Sequence, residues 1–151
     1  MSAIIPYTLI TGASSGIGRA AAMRLSRARR LILHGRNRER LDETLRECGD
    51  DREHLLWVAD LRETQEIAPS LTDLLAANDG GVQSFVHCAG AVTVLPARNV
   101  DHRQAQALMS VNFFAALEVV HLLLKKTVNH GTLSSVLFVS SIFSRFGARG
   151  R

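Results

Sequence analysis

The sequence predicts a doubly wound α/β fold: one parallel sheet of about five strands with helices on both faces. Three observations carry this. Short β-rich runs alternate with helical stretches along the whole chain, the strand runs are almost continuously apolar, and a glycine-bearing turn joins the first strand to the first helix. Parallel strands need crossover helices, and right-handed crossovers lay those helices on both sheet faces. Continuous apolarity fits strands that are buried on both sides.

The elements follow in order. Ile4–Thr11 is a first strand ending in TGASSGIG. Gly18–Arg27 is a helix with Ala21, Ala22 and Leu25 on its inner face. Leu31–His34 is a short second strand, stopped by Gly35. Arg38–Glu47 carries Leu41 and Leu45 at i, i+4 on an otherwise charged helix. His54–Ala59 is a third strand, closed by Asp60, and Thr64–Ala77 is helical with Pro69 as a place to kink or restart. Ser84–Cys88 is a fourth strand, a long helix covers about Arg103–Val128, and Val136–Ser140 is a fifth strand.

The 151 residues are 46% apolar and 21% charged, the profile of a single globular domain spanning 1–151. Three Pro and eleven Gly exclude collagen-like and proline-rich disordered chains. Cys48 and Cys88 form no CxxC pair, so a disulfide framework or cysteine-built zinc site is not expected. The six His residues are scattered without metal-ligand spacing, and no metal is expected. Basic residues exceed acidic ones by 18 − 14 = 4, and they are spread along the chain, which fits a solvated surface rather than a nucleic-acid stripe. No basic residue precedes the first apolar run, so it does not read as a signal peptide. Phe113–Leu124 is interrupted by Glu118 and His121 and is too short to span a bilayer; a cytoplasmic protein is expected.

The strongest local signal is Gly12-x-x-x-Gly16-x-Gly18, between the first strand and the first helix. Gly12 permits the tight turn, Gly16 lets backbone approach a pyrophosphate, and Gly18 allows close packing of helix on sheet. The helix N-terminus offers free N–H groups to phosphates, and Ser14 and Ser15 add hydroxyl donors. In this context the glycines read as a Rossmann-like dinucleotide site. At the end of the second strand, where a carboxylate would bind the ribose hydroxyls of NAD, the chain has Gly35-Arg36. Arg36 suits a 2′-phosphate, with Arg38 in reserve, which favours NADP(H); stacking on adenine and plain solvation are the alternatives.

These residues resemble the short-chain dehydrogenase/reductase family over essentially the whole chain. TGASSGIG at 11–18 is similar to that family's cofactor signature and implies cofactor contacts at Gly12, Ser14, Ser15, Gly16, Ile17 and Gly18. HGRNRERL at 34–41 resembles NADP-preferring members through Arg36, and Asp60-Leu61 after the third strand matches the family's acidic residue that contacts the adenine amine. HCAG at 87–90 stands in place of the family's NNAG: Ala89 and Gly90 fit, whereas His87 and Cys88 replace both Asn. The resemblance places Asn112 on the Asn of the catalytic tetrad and Ser141 on the catalytic Ser, with Ser140 as the other register. The run SRARR replaces the Gly that usually ends the first helix, so an irregular connection is expected there.

In that family a Tyr-x-x-x-Lys pair on the helix after the fifth strand moves the proton as hydride passes between nicotinamide and carbonyl carbon. Here the one Tyr is Tyr7 in the first strand, Lys125 and Lys126 are adjacent, and the ten residues after Ser141 hold neither type. The resemblance therefore implies the amino-terminal, cofactor-binding part of an NADP(H)-dependent carbonyl reductase or alcohol dehydrogenase, inactive by itself. The other reading is a non-catalytic NADP(H)-binding or partner-binding module. The long helix is apolar on more than one face; core burial explains one, and core or subunit contact the other, a homodimer or homotetramer being usual in the family. The partner implied is a small carbonyl or alcohol, with no nucleic acid and no membrane.

Overall fold

A computed structural model describes residues 5–49, 52–93 and 96–141. The first half alternates β1 (Tyr7–Thr11), α1 (Gly16–Leu25), β2 (Arg30–Gly35), α2 (Arg38–Cys48), β3 (Leu55–Val58) and α3 (Thr64–Ala76). Then follow β4 (Val82–His87), α4 (His102–Met109), a π-turn (Ser110–Phe114), α5 (Ala115–Leu124), α6 (Lys126–Asn129) and β5 (Ser135–Phe138). The strands form one sheet ordered β3-β2-β1-β4-β5, and every pairing is parallel. This is the predicted doubly wound, Rossmann-like architecture.

Alternation along the strands divides the core into two layers. Leu9, Ile32 and Phe85 face α3 and α5, where Ile67, Leu71, Val119 and Leu123 cover them. Ile10, Leu31 and Leu33 face α1 and α2, against Ala22 and Leu41. All of these side chains are fully or almost fully buried. Each buried Leu or Ile contributes on the order of 2 kcal/mol, so truncating one to Ala at the centre costs about 2–5 kcal/mol.

Local chemistry sets the ends of the elements. Asn37 caps α2 by accepting the Arg40 N–H at 2.9 Å, and Leu41 and Leu45 turn inward as their spacing requires. After α1 the chain turns without a glycine: Ser26 stays helical, and the amides of Ala28 and Arg29 both bond the Leu25 carbonyl. Pro69 does not restart α3, which runs unbroken from Thr64 to Ala76 without the bond that the missing N–H would have made.

The expected single helix over 103–128 is a compound one. The π-turn inserts at Ser110–Phe114, and Lys125, in extended conformation, ends α5 before the short α6. From His102 to Leu124 the run is 23 residues, so it is long and apolar enough to cross a membrane, and the sequence argument from its shortness does not hold. Its α5 part packs as a core helix: Ala115, Ala116, Val119, Leu122 and Leu123 are buried against α3 and the sheet, and α4 and the π-turn contribute no buried residue. A second apolar face, with Phe113, Phe114, Leu117 and Leu124, is exposed.

Tyr7 sits at the N-terminal end of β1, far from the strand ends that carry the glycine turn. Its ring lies 4.2 Å from the Arg30 guanidinium, which also bonds the phenol oxygen and pairs with Glu53 at 3.1 Å. Burial raises the phenol's pKa despite that cation. Its role is structural.

Candidate functional site

Strand order reverses at β1, so the crevice between the C-terminal ends of β1 and β4 is where an open α/β sheet binds its ligand. A cleft of about 510 Å³ opens there. It gathers all the residues assigned to a cofactor from sequence: Gly12, Ser14, Ser15, Gly16, Ile17, Gly18, Arg36, Asp60, Leu61, Ala89 and Gly90.

Two glycines make the turn possible. Gly12 has φ +70, and a Cβ there would lie 2.8 Å from the Ala89 amide nitrogen. A Cβ on Gly18 would fall on the Gly12 carbonyl, so the first turn of α1 rests directly on the loop. Ser15 occupies the N-cap in an extended conformation, and its side chain makes no cap bond. The first-turn amides of α1 have no intrahelical acceptors, and Ser15, Gly16 and Ile17 present that end to the cleft.

The wall beyond β2 and β3 is cationic. Arg36 is exposed, directly after buried Gly35, and no carboxylate precedes it on that strand. Asp60, after β3, is held by Arg62: its Oδ1 accepts the Arg62 backbone N–H at 3.0 Å, and Nη2 reaches Oδ2 at 2.5 Å. That pairing, with weaker help from Arg36, holds the Asp60 carboxyl below the usual carboxylate range. Sequence reasoning missed Arg62; the signal was its i+2 spacing from Asp60, which allows the side chain and amide to engage one carboxylate.

The opposite wall shows how His87 and Cys88 replace two Asn. The Thr11 hydroxyl lies 2.8 Å from His87 Nδ1 and accepts the Ala89 N–H at 3.3 Å, so β1 and β4 are tied together by side chains. With Thr11 donating, His87 carries its proton on Nε2, a buried atom near the Val111 carbonyl but outside good hydrogen-bond geometry with it. Desolvation lowers the pKa of His87, the Val111 carbonyl opposing, and burial raises that of the Cys88 thiol.

Asn112 lies in the π-turn and clamps the loop after β4. Its Oδ1 accepts the Ala91 N–H and its Nδ2 donates to the Ala91 carbonyl, both at 2.8 Å. Ser141 is exposed, just past β5, whose continuation is fixed by the Val139 amide on the His87 carbonyl at 3.0 Å. Neither Asn112 nor Ser141 lines the main cleft; both lie at its β4–β5 side. The residues after Ser141 lie outside the described set. Among the described residues no cluster of His, Cys, Asp or Glu could hold a metal.

Known proteins share this layout. The chain is 34% identical over 136 residues to sulfoacetaldehyde reductase 2 of Chromohalobacter salexigens, covering 89% of this chain and 54% of that one. A short-chain dehydrogenase from Streptomyces avermitilis superposes with a TM-score of 0.83 at 28% identity, over 99% of this chain and 54% of its own. A short chain dehydrogenase from Escherichia coli CFT073 complexed with NADPH gives 0.81 at 28% identity, over 96% and 62%. The chain thus spans little more than half the length of these relatives. The profile of the short chain dehydrogenases matches residues 6–150, and with the glycine turn at the β1/β4 crevice it establishes that the chain belongs to the short-chain dehydrogenase family of oxidoreductases.

Proposed function

We propose that the chain is the NADP(H)-binding part of a carbonyl reductase or alcohol dehydrogenase. The observation that carries the cofactor choice is Arg36: an exposed guanidinium on the cleft wall, one residue past the end of β2, where an NAD site would place a carboxylate. Arg36 would hold the 2′-phosphate, Asp60 and Leu61 would border the adenine, and Gly12 to Gly18 with Ser14 and Ser15 would cradle the pyrophosphate. Ala89 and Gly90 leave room for the nicotinamide ribose. The bound cofactor supplies the hydride. In the full-length protein Ser141 would polarise the substrate carbonyl, and Asn112 would hold the loop that borders it. The proton donor is a Tyr-Lys pair of the family that these 151 residues do not contain, so this chain by itself is expected to bind cofactor without turnover. The exposed Phe113, Phe114, Leu117 and Leu124 support a homo-oligomer, and a cytoplasmic location fits a nicotinamide cofactor.

The test is a fluorescence titration with NADPH and NADH. Arg36→Ala should weaken NADPH at least tenfold and leave NADH within about twofold, since one charge-assisted contact to the 2′-phosphate is lost. Equal NADPH and NADH affinities in the unsubstituted chain would refute the NADP assignment. The replacement of both Asn of the family's NNAG by His87 and Cys88 favours one second reading, a non-catalytic NADP(H)-binding module. A longer chain carrying the Tyr-Lys pair decides between them: carbonyl reduction supports the enzyme, and binding without turnover supports the module.

A further inference from the structure

One buried polar side chain in the cleft wall belongs to none of the roles above. His34, in β2, is 2% exposed, and both of its ring nitrogens are used. Nδ1 accepts the Gly12 N–H at 3.4 Å, and Nε2 donates to the Ala59 carbonyl at 3.1 Å. An acceptor on one nitrogen and a donor on the other fix the neutral, Nε2-protonated tautomer. The His34 carbonyl takes the next amide, Ala13 N–H, at 2.8 Å. One residue therefore receives both amides at the start of the glycine turn.

The ring is itself held. It packs on Trp57 with centroids 4.6 Å apart, and the Trp57 indole N–H donates to the Ser70 hydroxyl in α3 at 3.0 Å. Burial keeps the ring neutral, its pKa pushed down to about 4; His87 and Arg36 push the same way, and the Ala59 carbonyl and Asp60 oppose. A leucine would fill this volume in an apolar strand without the cost of burying two polar atoms. What the imidazole adds is a rigid link between the Gly12 turn and the end of β3, the two segments that border opposite ends of an adenosine diphosphate.

We propose that His34 is a positioning residue for the dinucleotide: its imidazole sets the Gly12 turn against Ala59 and thereby fixes where the pyrophosphate-binding amides sit. This rests on the dinucleotide reading of the cleft but not on the choice between NADP and NAD. His34 touches the turn, not the reacting atoms.

The experiment compares His34→Leu, His34→Asn and His34→Gln by titration with NADPH, NADH and adenosine 2′-monophosphate, which lacks a pyrophosphate. Leu should weaken NADPH and NADH by the same factor, about tenfold, and change the monophosphate less than twofold. Asn places an acceptor where Nδ1 stands and should recover most of the loss. Gln keeps only a donor towards Ala59 and should not. If the Leu variant fails to fold, the contrast between Asn and Gln decides. Dinucleotide affinity unchanged in Leu, equal loss of the monophosphate, or no difference between Asn and Gln overturns the proposal. An unsubstituted chain that binds neither dinucleotide overturns the site reading and this proposal with it, whereas unchanged binding by the Leu variant overturns this proposal alone.

Discussion

The two sides of the cleft are built by different means. On the β1–β2 side every residue of β1 and all of β2 except Arg30 is buried, and the glycine turn rests on backbone: Gly12 against Ala89, and Gly18 against Gly12 itself. On the β4–β5 side every residue of β5 is exposed, with Leu137 at 54% and Phe138 at 56%, and the loop after β4 is held by one exposed side chain, Asn112. Burial makes the first side rigid before any ligand arrives, so the cost of ordering it falls on folding. On the second side the loop after β4 is held, beyond Ala89, by a pair of solvent-facing hydrogen bonds from Asn112, which water competes for. The glycine-turn half is thus preorganised by packing, and the loop after β4 is the more adjustable.

That contrast can be broken at its strongest point. Gly18→Val puts a branched side chain onto the Gly12 carbonyl and should cost upwards of about 3 kcal/mol, seen as a fall in Tm with loss of NADPH binding. Retained binding would show that the turn is looser than its packing implies.

Acid tests the same side more gently. His34 binds its proton at about 4 in the folded chain against 6.5 unfolded, so the unfolded state holds more protons between those values and stability falls as pH drops through that window. The loss approaches on the order of 3 kcal/mol near pH 4, and His87, also lowered, acts in the same direction. Urea unfolding from pH 7 to 4 checks this, and His34→Leu should flatten the slope. An unchanged slope in that variant would assign the acid sensitivity elsewhere.

How much of this was legible beforehand follows the same division. The strand–helix order, the glycine turn and the position of Arg36 were readable because each rests on local pattern: continuous apolar runs, a backbone that rejects Cβ, a charge at a strand end. The roles of His34 and His87 were not, because a histidine in an apolar run looks the same whether its nitrogens are bonded or idle. Their partners, Gly12 at |i−j| = 22 and Thr11 at |i−j| = 76, are far away in sequence. The π-turn was also hidden, since five residues of SVNFF satisfy a 3.6-residue period about as well as a slightly longer one.

On the adjustable side, Asn112→Ala removes two exposed hydrogen bonds and should cost about 1–2 kcal/mol. Faster hydrogen exchange at Ala91, with Gly12 unaffected, would sharpen the contrast, and equal loosening at both would erase it. Smallest of all, Ser15→Ala should leave stability within about 0.5 kcal/mol, because the hydroxyl caps nothing. A measurable loss of NADPH affinity in that variant would locate the hydroxyl's use in the ligand.

The π-turn at Ser110–Phe114 has a consequence for how this segment can vary in length. An α-helix closes a turn in about 3.6 residues and the wider i→i+5 turn takes roughly one more, so deleting one residue from it would restore regular winding with α5 still in phase with α4. Val119 and Leu122 would keep their places against the sheet, and the loss would fall on Asn112 and its bonds to Ala91. The helix therefore carries a phase as well as a composition. Substitutions along it change contacts one at a time, and a deletion in α5 would dephase the core, whereas a deletion in the wide turn is absorbed there at the cost of the loop clamp.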